Sequence, residues 1–330
     1  MPPVQYRAMG TSDLRVSTIG FGCWEMGGTQ YGQVDDQEEV GAVRRAIDLG
    51  VTLFDTAAIY GPGHSEEVLG RALGQRRREV VLVTKGGMVW DGRGRGSSRR
   101  DSSYWALTQG LEASLHRLRT DYVDLFLIHW PYVDTPMDEA ARALNDLVAA
   151  GKTRYVGVSN FSADQLRAIR QHAPICANQV GYNLFDRRWE RQMFPTALEL
   201  GVGVMAYGPM AHGLLTGAFR RDTTFVDWDW RSRGVAFGQA LFTPENFPRN
   251  VEVADRLKAV AERLGTTLPK LAIAWVLQHP AVSVALSGTR RPDEIEHNVG
   301  ALDVRFSRAD LDEIDQIMRA AAGQVEAIPT

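Results

Sequence analysis

The sequence predicts an α/β protein, a (β/α)8 TIM barrel with an N-terminal β-hairpin, a long loop after strand 7 and an extra C-terminal helix. Three observations predict it. Eight short apolar runs alternate with longer amphipathic segments along 330 residues. The runs are dense in Val, Ile, Leu and Phe rather than alternating, as expected where helices bury both faces of a parallel sheet. No linker rich in Pro, Ser or acidic residues breaks the rhythm, so residues 1–330 read as a single domain closed into a barrel.

Residues 4–18 read as a short hairpin. The eight strands follow at 17–22, 51–55, 80–85, 122–129, 153–160, 175–180, 201–207 and 281–288. Amphipathic helical patterns lie between them at 36–50, 65–74, 101–119, 137–151 and 162–173, several opened by Ser or Asp and closed by Gly. Residues 208–250 are expected to form a long aromatic, Gly- and Arg-containing insertion after the seventh strand, on the face where barrels carry their sites. A helix at about 307–320 is expected to pack outside the barrel. The stretch 91–101, DGRGRGSSRRD, is Gly-rich and basic but lacks dinucleotide-fingerprint spacing, and reads as a mobile flap.

Composition narrows the function classes. A formal net charge of −3 gives no global case for binding nucleic acid, although 33 of the 37 basic residues are arginine. The two cysteines, Cys23 and Cys176, form neither a disulfide framework nor a ligand spacing, and fit a reducing compartment. The seven histidines show no paired metal spacing, so no metal is expected. With no run of 18 apolar residues and no signal-type N-terminus, the chain reads as cytoplasmic, with no membrane partner.

Barrel sites are assembled at the C-terminal ends of strands. Asp55 ends the second strand, Tyr60 follows in the next loop, Lys85 ends the third strand and His129 the fourth. Singly, each has an ordinary explanation: a turn cap, half-buried packing, a strand-end cation, a satisfied core histidine. Together they suit one task. Reducing a carbonyl by hydride needs a proton donor at the developing alkoxide, and a free tyrosine, with pKa near ~10, is a reluctant acid. A cationic Lys85 is expected to bring Tyr60 down, Asp55 to orient the lysine, and His129 to hydrogen-bond the substrate oxygen.

LFDTAAIYGPGHSEEVLG at 53–70, VTKGG at 83–87, DLFLIHWP at 124–131 and GVSNF at 157–161 closely resemble the aldo-keto reductases. The resemblance runs from about residue 6 to residue 302, and its first string, with Asp and Tyr in register, is highly specific. It implies Asp55, Tyr60, Lys85 and His129 as a catalytic tetrad with Tyr60 the proton donor. It further implies that Ser159, Asn160 and Gln179 hold a nicotinamide amide, that Tyr207 stacks on its ring, and that Gly208 lies beside them. Gly288, Thr289, Arg290, Arg291, Glu294 and Asn298 fall to the adenosine end, where Pro292 opens a helix whose N-terminus suits a phosphate.

Adjacent arginines favour a 2′-phosphate, hence NADP. Glu294 departs from the usual pattern. It would accept a hydrogen bond from a free ribose hydroxyl, which makes NAD the alternative, or it is simply, with Asp293, a first-turn acid complementing the helix dipole. Trp24, Trp90 and Trp130, each just past a strand end, are the substrate-pocket candidates, with Trp228 and Trp230 on the insertion as weaker ones. Trp105, Trp189 and Trp275 lie in helical patterns and are expected in the core. The partner expected is a small aldehyde, ketone or sugar; the oligomeric state is not readable. Two rivals remain: a nicotinamide-binding regulatory subunit with little turnover, and a Schiff-base lyase using Lys85.

Overall fold

The computed structural model describes residues 4–28, 32, 35–90, 98–131 and 134–324. In chain order the strands and helices are β1 (Tyr6–Ala8), β2 (Arg15–Ser17), β3 (Ile19–Gly22), α1 (Asp36–Asp48), β4 (Leu53–Asp55), α2 (His64–Leu73), β5 (Val81–Gly86), β6 (Met88–Trp90), β7 (Ser98–Arg100), α3 (Tyr104–Leu118), β8 (Val123–Ile128) and α4 (Met137–Ala149). They continue with β9 (Thr153–Ser159), α5 (Ala163–Arg170), β10 (Ile175–Gly181), α6 (Met193–Leu200), β11 (Gly203–Tyr207), α7 (Phe247–Arg263), α8 (Leu268–Val276), β12 (Val282–Gly288), α9 (Pro292–Val299) and α10 (Arg308–Met318).

Eight parallel strands close into a barrel in the order β3, β4, β5, β8, β9, β10, β11, β12, with β12 returning to β3. All eight are the runs expected from sequence. Each apolar run has two destinations. Leu53, Val81, Val83, Leu125, Leu127, Met205, Val284 and Leu286 share the barrel interior, whereas Phe54, Leu82, Phe126, Val156 and Val158 lie in the larger core that includes the helices. The interior is tight: a Cβ on Gly20 of β3 would lie 2.8 Å from Leu286 and 2.9 Å from Leu53.

Capping explains where helices begin. The Asp35 carboxylate accepts from the Gln37 and Glu38 N–H groups at the start of α1, and Ser162 with Gln165 forms a capping box on α5. The antiparallel pair β1–β2 plugs the N-terminal mouth: Met9, Leu14 and Val16 are buried against the interior residues. Gly10, at φ 59°, approaches Gly201 so closely that a Cβ would lie 2.1 Å from the Gly201 carbonyl oxygen.

Several expectations are corrected. The insertion after β11 ends where α7 begins at Phe247, with short 3₁₀ turns at Ala211–Thr216 and Trp230–Arg233. Ser98–Arg100, read as part of a flap, is a strand pairing antiparallel with Met88–Trp90; residues 91–97 of that flap lie outside the described residues. Trp275 and Trp189 are buried, Trp189 in a turn rather than a helix, but Trp105 stands 71% exposed on the first turn of α3. Hydrophobic periodicity marks a helix without saying which flank another element will cover.

Candidate active site

A continuous cavity of about 770 Å³ opens at the C-terminal ends of the barrel strands and runs on to the start of α9. At one end Asp55, Tyr60, His129 and Trp130 line it, in the middle Ser159, Asn160, Gln179, Tyr207 and Gly208, and at the far end Gly288 to Arg291, Glu294 and Asn298. Trp24 and Trp90 line it too. Lys85 does not: its side chain is wholly buried behind Asp55 and Tyr60.

The Lys85 ammonium donates to Asp55 Oδ2 at 2.7 Å, to the Thr56 carbonyl at 3.0 Å and to Tyr60 Oη at 3.0 Å. Gln179 Nε2 donates to the other Asp55 oxygen at 2.7 Å. Burial draws the Asp55 carboxyl up and the Lys85 ammonium down, and each opposes the other's shift across their ion pair. Burial pushes the Tyr60 phenol well above its ordinary value, with Asp55 adding to it. In the resting site burial thus acts in the direction opposite to the lowering expected from Lys85, because it disfavours the phenolate. His129 is held well below the usual histidine range, by burial first and Lys85 second. Its ring meets Tyr60 edge-on at 5.7 Å, and its Nδ1 is buried without a hydrogen-bond partner among the described residues.

The middle of the cavity is a connected network. Asn160 sits at φ 63°, a left-handed conformation that asparagine tolerates. From there its amide donates to the Ser159 hydroxyl at 3.0 Å and the His129 carbonyl at 3.2 Å, and accepts from the Tyr207 hydroxyl at 3.0 Å. Gly181 lets the Tyr207 ring lie against β10, where a Cβ would come within 3.1 Å of it.

At the far end, Glu294 accepts from the Thr289 hydroxyl at 2.9 Å and the Arg290 N–H at 3.2 Å, folding residues 289–291 back onto the first turn of α9. Arg291 pairs with Asp293 at 3.1 Å and Glu294 at 3.2 Å, and the Asn298 amide donates to Ser287 at 2.9 Å. A cavity this long, polar along its middle and closed by a helix N-terminus, fits a dinucleotide.

Sequence reasoning missed Glu25, Met88, Met210, His212, Arg231 and Phe237, all of which line the cavity. Glu25 follows the predicted Trp24 and was within reach of the strand-end rule; burial pushes it up to about 7, against the pull of Arg290. Its carboxylate lies against Gly288, where a Cβ would come within 2.0 Å of it. Of the weaker tryptophans, Trp230 packs behind Trp24 at 5.5 Å without lining the cavity, and Trp228 is 54% exposed outside it. Among the described residues no three His, Cys, Asp or Glu side chains gather to hold a metal ion, and no helix is long and apolar enough to cross a membrane.

Residues 18–319 match the model of the aldo/keto reductase family. The chain is similar to an aldo-keto reductase of Bacillus subtilis, 35% identical over 89% of this chain and 87% of the relative. It also resembles an NADH-specific methylglyoxal reductase of Escherichia coli, 32% identical over 92% and 94%. Among solved structures, a glycerol dehydrogenase from Gluconobacter oxydans superposes with a TM-score of 0.87 at 36% identity, covering 99% of this chain and 98% of that one.

Proposed function

This chain belongs to the aldo/keto reductase family, and on that premise we propose that it reduces an aldehyde or ketone to the alcohol with NADP(H), Tyr60 giving the proton. The observation that carries the reading is the threefold donation of Lys85. An ammonium has three N–H bonds and no acceptor. Asp55, the Thr56 carbonyl and Tyr60 take all three. Tyr60 therefore receives from the lysine, and its own O–H points elsewhere, to the cavity it lines.

Burial keeps that proton in place at rest. As it passes to the substrate oxygen, the phenolate left behind faces the ammonium at 3.0 Å. Lys85 thus stabilises the state after transfer more than the state before, and only such differential stabilisation lowers a barrier. Asp55 fixes the lysine. His129, neutral, offers one N–H to the carbonyl oxygen without competing as a charge. When bound, NADP(H) supplies the hydride that the carbonyl carbon accepts. Ser159, Asn160, Gln179 and Tyr207 would hold its amide end, with Gly208 at the turn beyond; Gly288, Thr289, Arg290, Arg291 and Asn298 would hold the adenosine end. The two arginines support NADP(H), while the carboxylates paired with Arg291 reduce that advantage, so NADH is the poorer alternative cofactor. Trp24, Trp90 and Trp130 would wall the substrate.

The test is loss of reduced-nicotinamide absorbance with a panel of aldehydes, ketones and aldoses, NADPH and NADH in parallel. Turnover that falls about 10²–10⁴-fold in Tyr60→Phe while NADPH still binds supports the reading. Tight cofactor binding with no turnover on any carbonyl would favour a regulatory subunit instead, and undiminished turnover in Y60F would remove Tyr60 from its role.

A further inference from the structure

Phe237 has φ 48° and Gly238 φ 82°. Ala236 and Gln239 exchange both backbone hydrogen bonds, at 2.7 and 2.8 Å, so Phe237 and Gly238 are the central pair of a two-residue turn with positive φ at both positions, the type I′ pattern. That pattern calls for Asn, Asp or Gly at its first central position. A phenylalanine there brings its Cβ against a carbonyl oxygen, and such strain persists only where the surroundings impose it.

The surroundings do impose it. Arg188, buried and ion-paired with Asp186 at 2.7 Å, donates to the Phe237 carbonyl at 3.1 Å. The buried Gln239 amide donates to the Phe185 carbonyl at 2.8 Å. Both tie the turn to the segment just beyond β10. What the strained turn achieves is the placement of one ring. Phe237 lies 5.4 Å from Tyr207, 5.9 Å from Trp24 and, stacked, 5.1 Å from His212, and Trp24 in turn meets Tyr60 at 6.4 Å.

This end of the cavity also carries little unmatched charge, with burial holding the Glu25 carboxyl up to about 7. The cation lining it among the described residues, Arg231, donates to both Asp229 oxygens at 2.9 and 2.6 Å and to the His212 carbonyl at 3.2 Å. Burial, helped by Arg231, lowers His212 to about 3, so its ring is neutral. An anionic substituent buried here would meet a guanidinium already matched by a carboxylate.

We propose that Phe237 is a specificity-determining residue, the far wall of a neutral aromatic box that receives the non-reacting part of an uncharged carbonyl compound. The role rests on the reductase reading above. The sequence gives up a favourable turn residue for a ring facing the site, a local rule broken where function gains.

Phe237→Asn tests it, because asparagine adopts left-handed backbone readily and keeps the turn. Steady-state KM is measured for an uncharged arylaldehyde and a three-carbon aldehyde, with the reduced cofactor's Kd from fluorescence. The ratio of the two KM values is expected to rise at least tenfold in F237N, and wild type to favour the arylaldehyde over its carboxylate-bearing analogue at least tenfold in kcat/KM. Equal changes in both KM values, or a rise in cofactor Kd as large as the expected change with the ratio unmoved, would overturn the proposal and make Phe237 part of the cofactor's cover. Should F237N fail to fold, Phe237→Leu reads the same ratio, with about a threefold rise expected. A wild type that reduces no carbonyl would instead bring down the reductase reading, and this inference with it.

Discussion

Glu39 is the residue whose chemistry the mechanism leaves over. It lies on α1, only 1% exposed, with neither carboxylate oxygen hydrogen-bonded among the described residues. Burial first, then the Asp36 carboxylate, pushes it up to about 7, with Arg290 opposing. Its folded value lies above its unfolded one, so between about pH 4.5 and 7 the native protein holds a proton the unfolded chain has released. Stability therefore falls as pH rises through that window and levels off above it, by up to roughly 3 kcal/mol for this one group. Glu39→Gln is expected to be more stable relative to wild type at pH 8 than at pH 5, read as the difference in Tm between the two proteins; a difference independent of pH would count against it. That Asp55, Tyr60, Lys85 and His129 come together was legible because three of them mark the C-terminal ends of neighbouring strands and Tyr60 lies in the loop that follows one of them. Phe237 was not, because no local pattern announces a strained turn, and its partner Arg188 lies 49 residues away.

Secondary-structure elements were read well where burial on both faces filled them with branched apolar residues, as in β5 and β8, which are buried along their whole length. β7 escaped because Ser-Arg-Arg carries no apolar signal and is a strand only through its pairing with β6. Two elements carry predictions. Met9 in the hairpin plug is fully buried among barrel residues. Met9→Ala is expected to lower unfolding stability by about 2–5 kcal/mol in urea, with little change in kcat because the plug is at the mouth opposite Tyr60. At the start of α9, replacing Arg290 and Arg291 together by Ala is expected to raise KM for NADPH more than for NADH. The exposed pairing of Arg291 with Asp293 and Glu294 is worth little to stability, so Tm should move by only a degree or two. Equal changes in the two KM values would remove the phosphate argument.

At the scale of the molecule, the eightfold rhythm of the sequence was enough to predict closure, because a sheet buried on both faces with no linker has no better way to hide its edges. What the rhythm does not contain is how the insertion after β11 comes back across the open mouth, since that depends on single anchoring contacts from residues 183–188 rather than on periodicity.

The hairpin plug and the β12–β3 seam also set an order of events in time. Arg7 donates to the carbonyls of Leu277 and Val282, and Ser283 donates to Ala8, so β1 and β3, besides pairing with β2 and β4, complete their contacts only with residues near β12, far along the chain. Until residue 288 has been made, β3 and β11 each keep one open edge. A ring has no half-closed resting state, and a nascent chain stalled short of its final strand is an open sheet inviting pairing with its neighbours.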